Sequence, residues 1–294
     1  MIKISAVLVL YHPDLELLRQ NLNAITPQLD RIYIIDNSPE TDIGSWDGFE
    51  STHIYIPLRC NTGIAAAQNV GIEKALQDGT EMIYFLDQDS VSPENIIEKL
   101  VLNFERLNER GIKAGAIGAL PINCITGKSY IPPTSSAAGI EGMTEVREMI
   151  SSGSLIPTSA LEKAGTMMEE LFIDGVDHEW CWRAKAKGGY RFFIVNDCQL
   201  SHHIGQGDRR MMWWKVAIPS PFRTYYLYRN IFILSRLSHV PLSYKIKNSL
   251  KLLFKIGYYP IFISPRKEYA KNIFKGIRDG IECVASIHHL DNKN

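Results

Sequence analysis

The feature that most constrains this chain is an alternation across its first 120 residues. Apolar, β-rich runs at Ile4–Leu10, Ile32–Asp36, His53–Pro57, Met82–Leu86 and Lys113–Leu120 are separated by helical patterns at Asp14–Gln28, Ala65–Asp78 and Pro93–Glu109. Strands that run in the same direction need a crossover, and a helix makes one without leaving backbone groups unpaired. Repeated βα alternation therefore predicts an α/β fold built on a parallel sheet. In such sheets ligands bind beyond the carboxyl ends of the strands, so the residues just after each strand are the first to read for function. Here they are Tyr11-His-Pro-Asp14, Asp36-Asn-Ser38, Arg59-Cys-Asn-Thr-Gly63 and Asp87-Gln-Asp89, four polar segments expected on one rim.

Each segment has its own chemistry. Asp36 ends an otherwise apolar strand, where its carboxylate would accept a hydrogen bond from a nucleobase N–H or else serve as a turn or cap residue. The run Asn61-Thr-Gly-Ile-Ala-Ala-Ala-Gln-Asn-Val-Gly71 joins a glycine loop to a helix start, where free N–H groups and the helix dipole favour phosphate. It is neither a Walker loop nor a dinucleotide fingerprint, and its small residues equally suit close packing of helix on sheet. Asp87-Gln-Asp89 places two carboxylates at positions i and i+2 where a buried strand ends, a pattern able to hold Mg2+ or Mn2+ together with a diphosphate. Pro93 is expected to open the next helix.

In this order and spacing the four segments resemble a family-2 glycosyltransferase of the GT-A fold. Asn-Thr-Gly-Ile-Ala-Ala-Ala-Gln-Asn-Val-Gly-Ile and Phe-Leu-Asp-Gln-Asp-Ser are most similar to its bacterial rhamnosyltransferase branch, which acts in polysaccharide and O-antigen assembly. The resemblance spans roughly residues 3–235. It implies a Rossmann-like mixed sheet flanked by helices and an inverting enzyme that uses dTDP-rhamnose. It also implies a nucleotide-sugar site drawn from Tyr11, Asp36, Asn61, Gly63, Asn69, Asp87, Gln88, Ser152 and Gly153, with Asp89 on the metal. Asp36 would meet the base, and Asp87 the ribose or a metal-bound water.

Leu171-Phe-Ile-Asp-Gly-Val-Asp-His-Glu-Trp-Cys-Trp-Arg183 sits where that family carries Glu-Asp-x-Asp-Leu-x-x-Arg, and this puts Asp177 at the catalytic base, with Val176 departing from the usual Glu. An acceptor hydroxyl must lose its proton as it attacks the anomeric carbon, so one carboxylate must face it. Asp174 and Glu179 are the reserve candidates, and acids at a helix start also serve simply as dipole partners. Past a strand expected at Tyr190–Val195, Gln199-Leu-Ser-His-His-Ile-Gly205 supplies the family's metal-binding histidine, best matched by His202 with His203 next. Ser151-Ser-Gly-Ser-Leu-Ile-Pro157 resembles the small-residue loop beneath the donor sugar, and Trp180 and Trp182 would either line an acceptor pocket or pack in the core.

The last third of the chain differs in character. Net charge is zero, yet residues 201–294 hold 16 Lys and Arg against 5 Asp and Glu, which leaves 16 against 27 before them. Helical patterns follow at Arg223–Leu237, Ser243–Tyr258 and Glu268–His289. In the second, Ile246, Leu250, Leu253 and Phe254 share a face beside Lys247, Lys251 and Lys255, the pattern of an interfacial helix. The expected organisation is a catalytic domain over residues 1–218, with a nucleotide-sugar half to about 120 and an acceptor half from about 121, and then a basic amphipathic extension over 219–294.

No run of about 20 apolar residues would span a bilayer. The N-terminus reads as a first strand rather than a signal peptide, and the five cysteines form no CxxC pair, as expected in a reducing cytoplasm. Expected partners are a nucleotide-diphosphate sugar, a glycan or polyprenyl-diphosphate-linked acceptor, and the inner face of the bacterial plasma membrane, with a homodimer or simple capping of the catalytic domain as other uses of the basic helices. A UDP-hexose or UDP-galactofuranose enzyme would carry the same motifs. A sugar nucleotidyltransferase would need a glycine-rich loop with Arg and Lys where Leu8–Asp14 stands. A non-enzymatic adaptor leaves the acids at successive strand ends unexplained, and no nucleic-acid motif is present.

Overall fold

The computed structural model describes all residues except 1, 41, 124–128, 130–139, 203–207, 212–213 and 288–294; the side chains of 123, 202, 208–211, 214–217 and 284–287 also lie outside the description. Two compact units are present. The first comprises residues 1–169 and 180–204, the second residues 170–179 and 205–294. The sequence places a boundary at 218, whereas packing puts it near 204 and assigns 170–179 to the second unit.

The first unit contains β1 (Ile4–Leu10), α1 (Leu15–Ile25), β2 (Arg31–Asp36), β3 (His53–Pro57), α2 (Ile64–Gln77), β4 (Met82–Asp87), β5 (Ser90–Val91), α3 (Ile96–Glu109), β6 (Ala114–Asn123), β7 (Met143–Val146), β8 (Ser154–Pro157) and α4 (Thr158–Ala164). Helix α5 (Val176–Gly188) begins among the residues of the second unit, its part from Trp180 belongs to the first, and β9 (Arg191–His202) comes after it. The nine strands form one sheet in the order β3-β2-β1-β4-β8-β6-β9-β5, with β7 paired to β9.

The parallel arrangement expected from the βα alternation holds for β3, β2, β1 and β4 and returns between β6 and β9. Between these two blocks it is interrupted. Strand β8 enters antiparallel to both β4 and β6, so β6 is separated from β4 although it is the next long strand in sequence. The sheet is thus mixed.

Strand β1 is buried from Ile4 to Leu8, with Leu18, Leu22 and Ile25 of α1 and Ile96, Ile97 and Leu100 of α3 in the same core cluster. Each such fully buried aliphatic side chain is worth about 1.5–3 kcal/mol of transfer free energy. Helix α1 starts where the Asp14 carboxylate accepts hydrogen bonds from the N–H groups of Glu16 and Leu17. Helix α3 starts at Ile96, three residues later than Pro93, because Pro93 to Asn95 form a turn before it. The small residues of α2 bring it down on the sheet: a Cβ at Gly71 would stand 2.6 Å from Val7 Cγ1.

The second unit holds β10 (Asp208–Met211) and β11 (Trp214–Ala217), which pair as an antiparallel hairpin, then α6 (Pro221–Arg236), α7 (Leu242–Phe262) and α8 (Arg266–Ile287). Pro221 occupies the first turn of α6, and Ser220 caps that helix by accepting from Arg223 N–H. Tyr228, Tyr259, Ile263, Tyr269 and Ile273 form the core. Helices α6 and α8 touch at backbone level, since a Cβ at Gly276 would fall 2.4 Å from the carbonyl oxygen of Tyr225. Among the described residues no helix is long and apolar enough to cross a membrane.

Candidate functional site

Register builds the rim of the first unit. Leu10 of β1 lies beside Asp36 on one side, and its neighbour Val9 lies beside Asp87 on the other, so both acidic strand ends flank the end of the same central strand. Asp87, Gln88 and Asp89 are partly exposed there. Ser90, directly after Asp89, pairs with His202 across the antiparallel β5–β9 ladder. Two segments more than a hundred residues apart in sequence, Asp87–Asp89 and the end of β9, are therefore neighbours in the sheet. The His202 side chain and all of His203 lie outside the described residues, and among those described no three His, Cys, Asp or Glu form a ligand cluster. The carboxylates of Asp87 and Asp89 are oxygen donors of the kind that Mg2+ or Mn2+ takes.

Several side chains expected to contact ligand hold the rim together instead. Asp36 has no exposed surface. One of its oxygens accepts from Ser38 N–H at 3.0 Å and the other from the Tyr55 hydroxyl at 2.8 Å, so a base N–H reaches it only if these neighbours move. Burial, and after it the bond to Asp36, pushes the Tyr55 phenol up to about 12, which keeps it a donor at neutral pH. The Gln88 amide pairs reciprocally with the backbone of Tyr11, accepting from its N–H at 2.7 Å and donating to its carbonyl at 3.1 Å. Tyr11 itself remains 46% exposed.

Asn69 is a brace between α2 and the segment after α4. Its Oδ1 accepts from Met167 N–H, and its Nδ2 donates to Met167 O and Glu169 Oε1. Gly153, expected to admit substrate against the backbone, has a different reason to be glycine. Its φ of +77° and the 2.6 Å gap from a would-be Cβ to Leu200 Cδ2 assign it to backbone conformation and core packing. Its N–H bonds Phe85 O and its carbonyl accepts from Ala119 N–H, which ties β4 to β6. Ser152 is buried with its hydroxyl 3.5 Å from that of Ser90. Trp180 and Trp182 are core residues, bonded to Gly165 O and Glu148 Oε2.

The glycine loop is organised by Asn37, a residue that sequence reasoning missed. Asn37 accepts from both Thr62 N–H and Thr62 Oγ1 and donates to Asn61 Oδ1, which in turn accepts from Gly63 N–H. This network leads into α2 with Gly63 at its N-cap, φ +86°, and with no side chain capping the helix. Its signal in sequence is only a polar residue after an acidic strand end, indistinguishable there from a turn.

In the second unit Asp177 lies in the first turn of α5, half-buried, between the buried Val176 and Glu179. The two reserve acids are engaged elsewhere: Asp174 is bridged by Arg223, and Glu179, 1% exposed, meets His239 Nε2 at 2.8 Å. The chain enters this turn with Phe172, Asp174 and Gly175 all at positive φ. For a non-glycine residue that conformation costs on the order of 1–3 kcal/mol. It is held by buried Asn230, whose Nδ2 donates to the carbonyls of Leu171, Ile173 and Asp174 at 2.8, 2.7 and 3.0 Å. Nothing in the sequence local to residue 230 announces this clamp.

Comparison with known proteins decides the family. Residues 5–123 match the family model described as glycosyl transferase family 2. Over 300 aligned residues, covering 96% of each chain, the sequence is 34% identical to the dTDP-rhamnosyl transferase RfbF of Shigella flexneri. The chain belongs to glycosyl transferase family 2. It is accordingly a glycosyltransferase, and similarity to solved structures shows that the fold is GT-A. S. aureus TarS aligns over 86% of this chain with a TM-score of 0.52 and 14% identity. GalNAc-T7, solved with UDP, GalNAc and Mn2+, aligns over 98% with a TM-score of 0.54 and 14% identity. This family-2 chain spans 43% and 57% of those two proteins, and at such identity the likeness is one of fold.

Proposed function

We propose that this glycosyltransferase moves L-rhamnose from dTDP-rhamnose, with inversion, onto a saccharide acceptor carried on polyprenyl diphosphate during cell-surface polysaccharide synthesis. The observation that carries the reading is the 34% identity, across nearly the whole of both chains, to a dTDP-rhamnosyl transferase. The ladder that sets Asp89 beside the end of β9 supports a divalent-metal site. The enzyme would work at the inner face of the plasma membrane, where such an acceptor is held by its lipid.

In this mechanism Asp89 and His202 would hold Mg2+ or Mn2+, with Asp87 facing the ribose or a metal-bound water, and the cation would supply positive charge against the departing diphosphate. The exposed Tyr11 ring flanks the nucleotide, and the uncapped N-terminus of α2 offers N–H groups to phosphate. Asp36 holds the strand end itself, through Ser38 and Tyr55. Asp177 takes the proton of the acceptor hydroxyl as that oxygen bonds to the anomeric carbon. The bond from that carbon to the diphosphate oxygen breaks on the opposite face, and dTDP leaves.

Calorimetric titration with dTDP, UDP and GDP, each with Mn2+, Mg2+ or EDTA, tests the donor and the metal together. Metal-dependent preference for dTDP is the expected result. Preference for UDP would replace the donor with a UDP-hexose, and equal affinity in EDTA would remove the metal. Asp177→Asn should bind dTDP as the parent does and lose transfer by about a thousandfold or more; normal turnover would remove Asp177 from the role.

A further inference from the structure

Helix α7 is 21 residues long, about 32 Å at the usual rise, and contains four lysines and no acidic residue. Its solvent face is apolar. Leu242, Ile246, Leu250, Leu253, Phe254 and Ile261 are each more than half exposed, Phe254 to 68%, and their spacing puts them on one arc of the helix along most of its length. Lys247 and Lys251 lie along one edge of that arc, with Lys255 next on the same row. Beside the arc an apolar cavity of about 320 Å3 opens between α6, α7 and α8, lined by Ile231, Phe232, Leu252, Leu253, Ile256 and Ile277 among others. Burial and the neighbouring Lys251 hold the Lys255 ammonium below the usual lysine range.

Soluble proteins rarely leave so continuous an apolar strip in water, so something covers it. Charge selects between the two obvious covers. A two-fold contact with a second copy through this face would bring one lysine row toward another with no acid on α7 to offset it. An anionic lipid surface supplies apolar depth and negative headgroups in the order the helix presents them.

We propose that α7 lies in the plane of an anionic phospholipid surface, with the Leu242–Ile261 arc below the headgroups and the exposed Lys247 and Lys251 at their phosphates. This deepens the proposed membrane location by naming the surface that makes the contact; lipid binding itself does not depend on which sugar is transferred.

The test is co-sedimentation of the full chain with phosphatidylcholine vesicles, with and without phosphatidylglycerol, for the parent, Ile246→Asp/Leu250→Asp and Lys247→Glu/Lys251→Glu. Far-UV circular dichroism checks that the helices persist in both pairs. The parent should bind the anionic vesicles and lose binding as salt rises, and each double variant should bind at least about tenfold more weakly. Failure of the parent to bind, or variants that bind like the parent, overturns the proposal. So does a parent dimer that Ile246→Asp/Leu250→Asp converts to monomer, which would make the arc a subunit interface. Binding of dTDP, measured on the same proteins, should be unchanged by either pair. Loss of vesicle binding with intact dTDP binding separates the surface from the donor site, and absence of dTDP binding in a parent that binds vesicles would sink the donor reading alone.

Discussion

Asp36 and Asp87 end strands on either side of β1, each after a run of apolar residues, yet they have become different kinds of group. Asp36 is sealed from solvent with both oxygens occupied by Ser38 and Tyr55, while Asp87, Gln88 and Asp89 are partly exposed. The difference lies in the two or three residues after each acid. Past Asp36 the chain turns at Asn37 and Ser38, and the Ser38 N–H bonds straight back to the carboxylate. Past Asp87 the intervening Gln88 is drawn to the backbone of Tyr11, and Asp89 is delivered next to the short strand that pairs with β9. A strand-end carboxylate is therefore sealed when its own turn folds back on it, and stays partly exposed when the next residue is drawn to a neighbouring strand end.

Substitutions should separate the two. The largest effect is expected at Asp89→Ala, which should lower the initial rate of transfer by roughly a thousandfold while shifting stability by less than about 1 kcal/mol. Asp36→Ala should do the reverse. Leaving the Tyr55 hydroxyl and the Ser38 N–H without their acceptor should cost about 3 kcal/mol in urea denaturation, with dTDP affinity nearly unchanged in the folded fraction. A stable Asp36→Ala protein with weakened dTDP binding would break the contrast and return Asp36 to the base. Tyr55→Phe is the mildest, at about 1 kcal/mol, and a loss of transfer without loss of stability would show that the loop, rather than the fold, depends on this bond.

Much of the first unit was legible because local pattern and tertiary role agree there. The runs Ile4–Leu10 and His53–Pro57 form strands with those bounds, since short β-rich stretches bordered by polar turns favour an extended backbone. Strand β8 was not legible as a partner of β4 and β6, because Ser154–Pro157 is four residues long and its pairing depends on chain distant in sequence. Helix α7 reads as ending at Tyr258, before Pro260, yet it continues to Phe262. A proline in the last turn forfeits one backbone bond, and Ile263 N–H still reaches Tyr259 O. Within the site, residue type pointed to the right strand ends but not to which side chains face outward. Asn69, Gln88 and Asp36 are polar because other parts of the protein need their hydrogen bonds, a fact that spacing along the chain does not encode.

The reciprocal amide pair between Gln88 and Tyr11 has one more consequence. Because both backbone groups of Tyr11 are held by the residue that sits between the two acids, the aromatic ring and the carboxylates are tethered through a single side chain. Conformational freedom that a loose Asp-x-Asp turn would surrender when its ligand arrives has already been given up during folding. The turn is a mounted fixture, and any molecule that settles against the ring meets acids already in place.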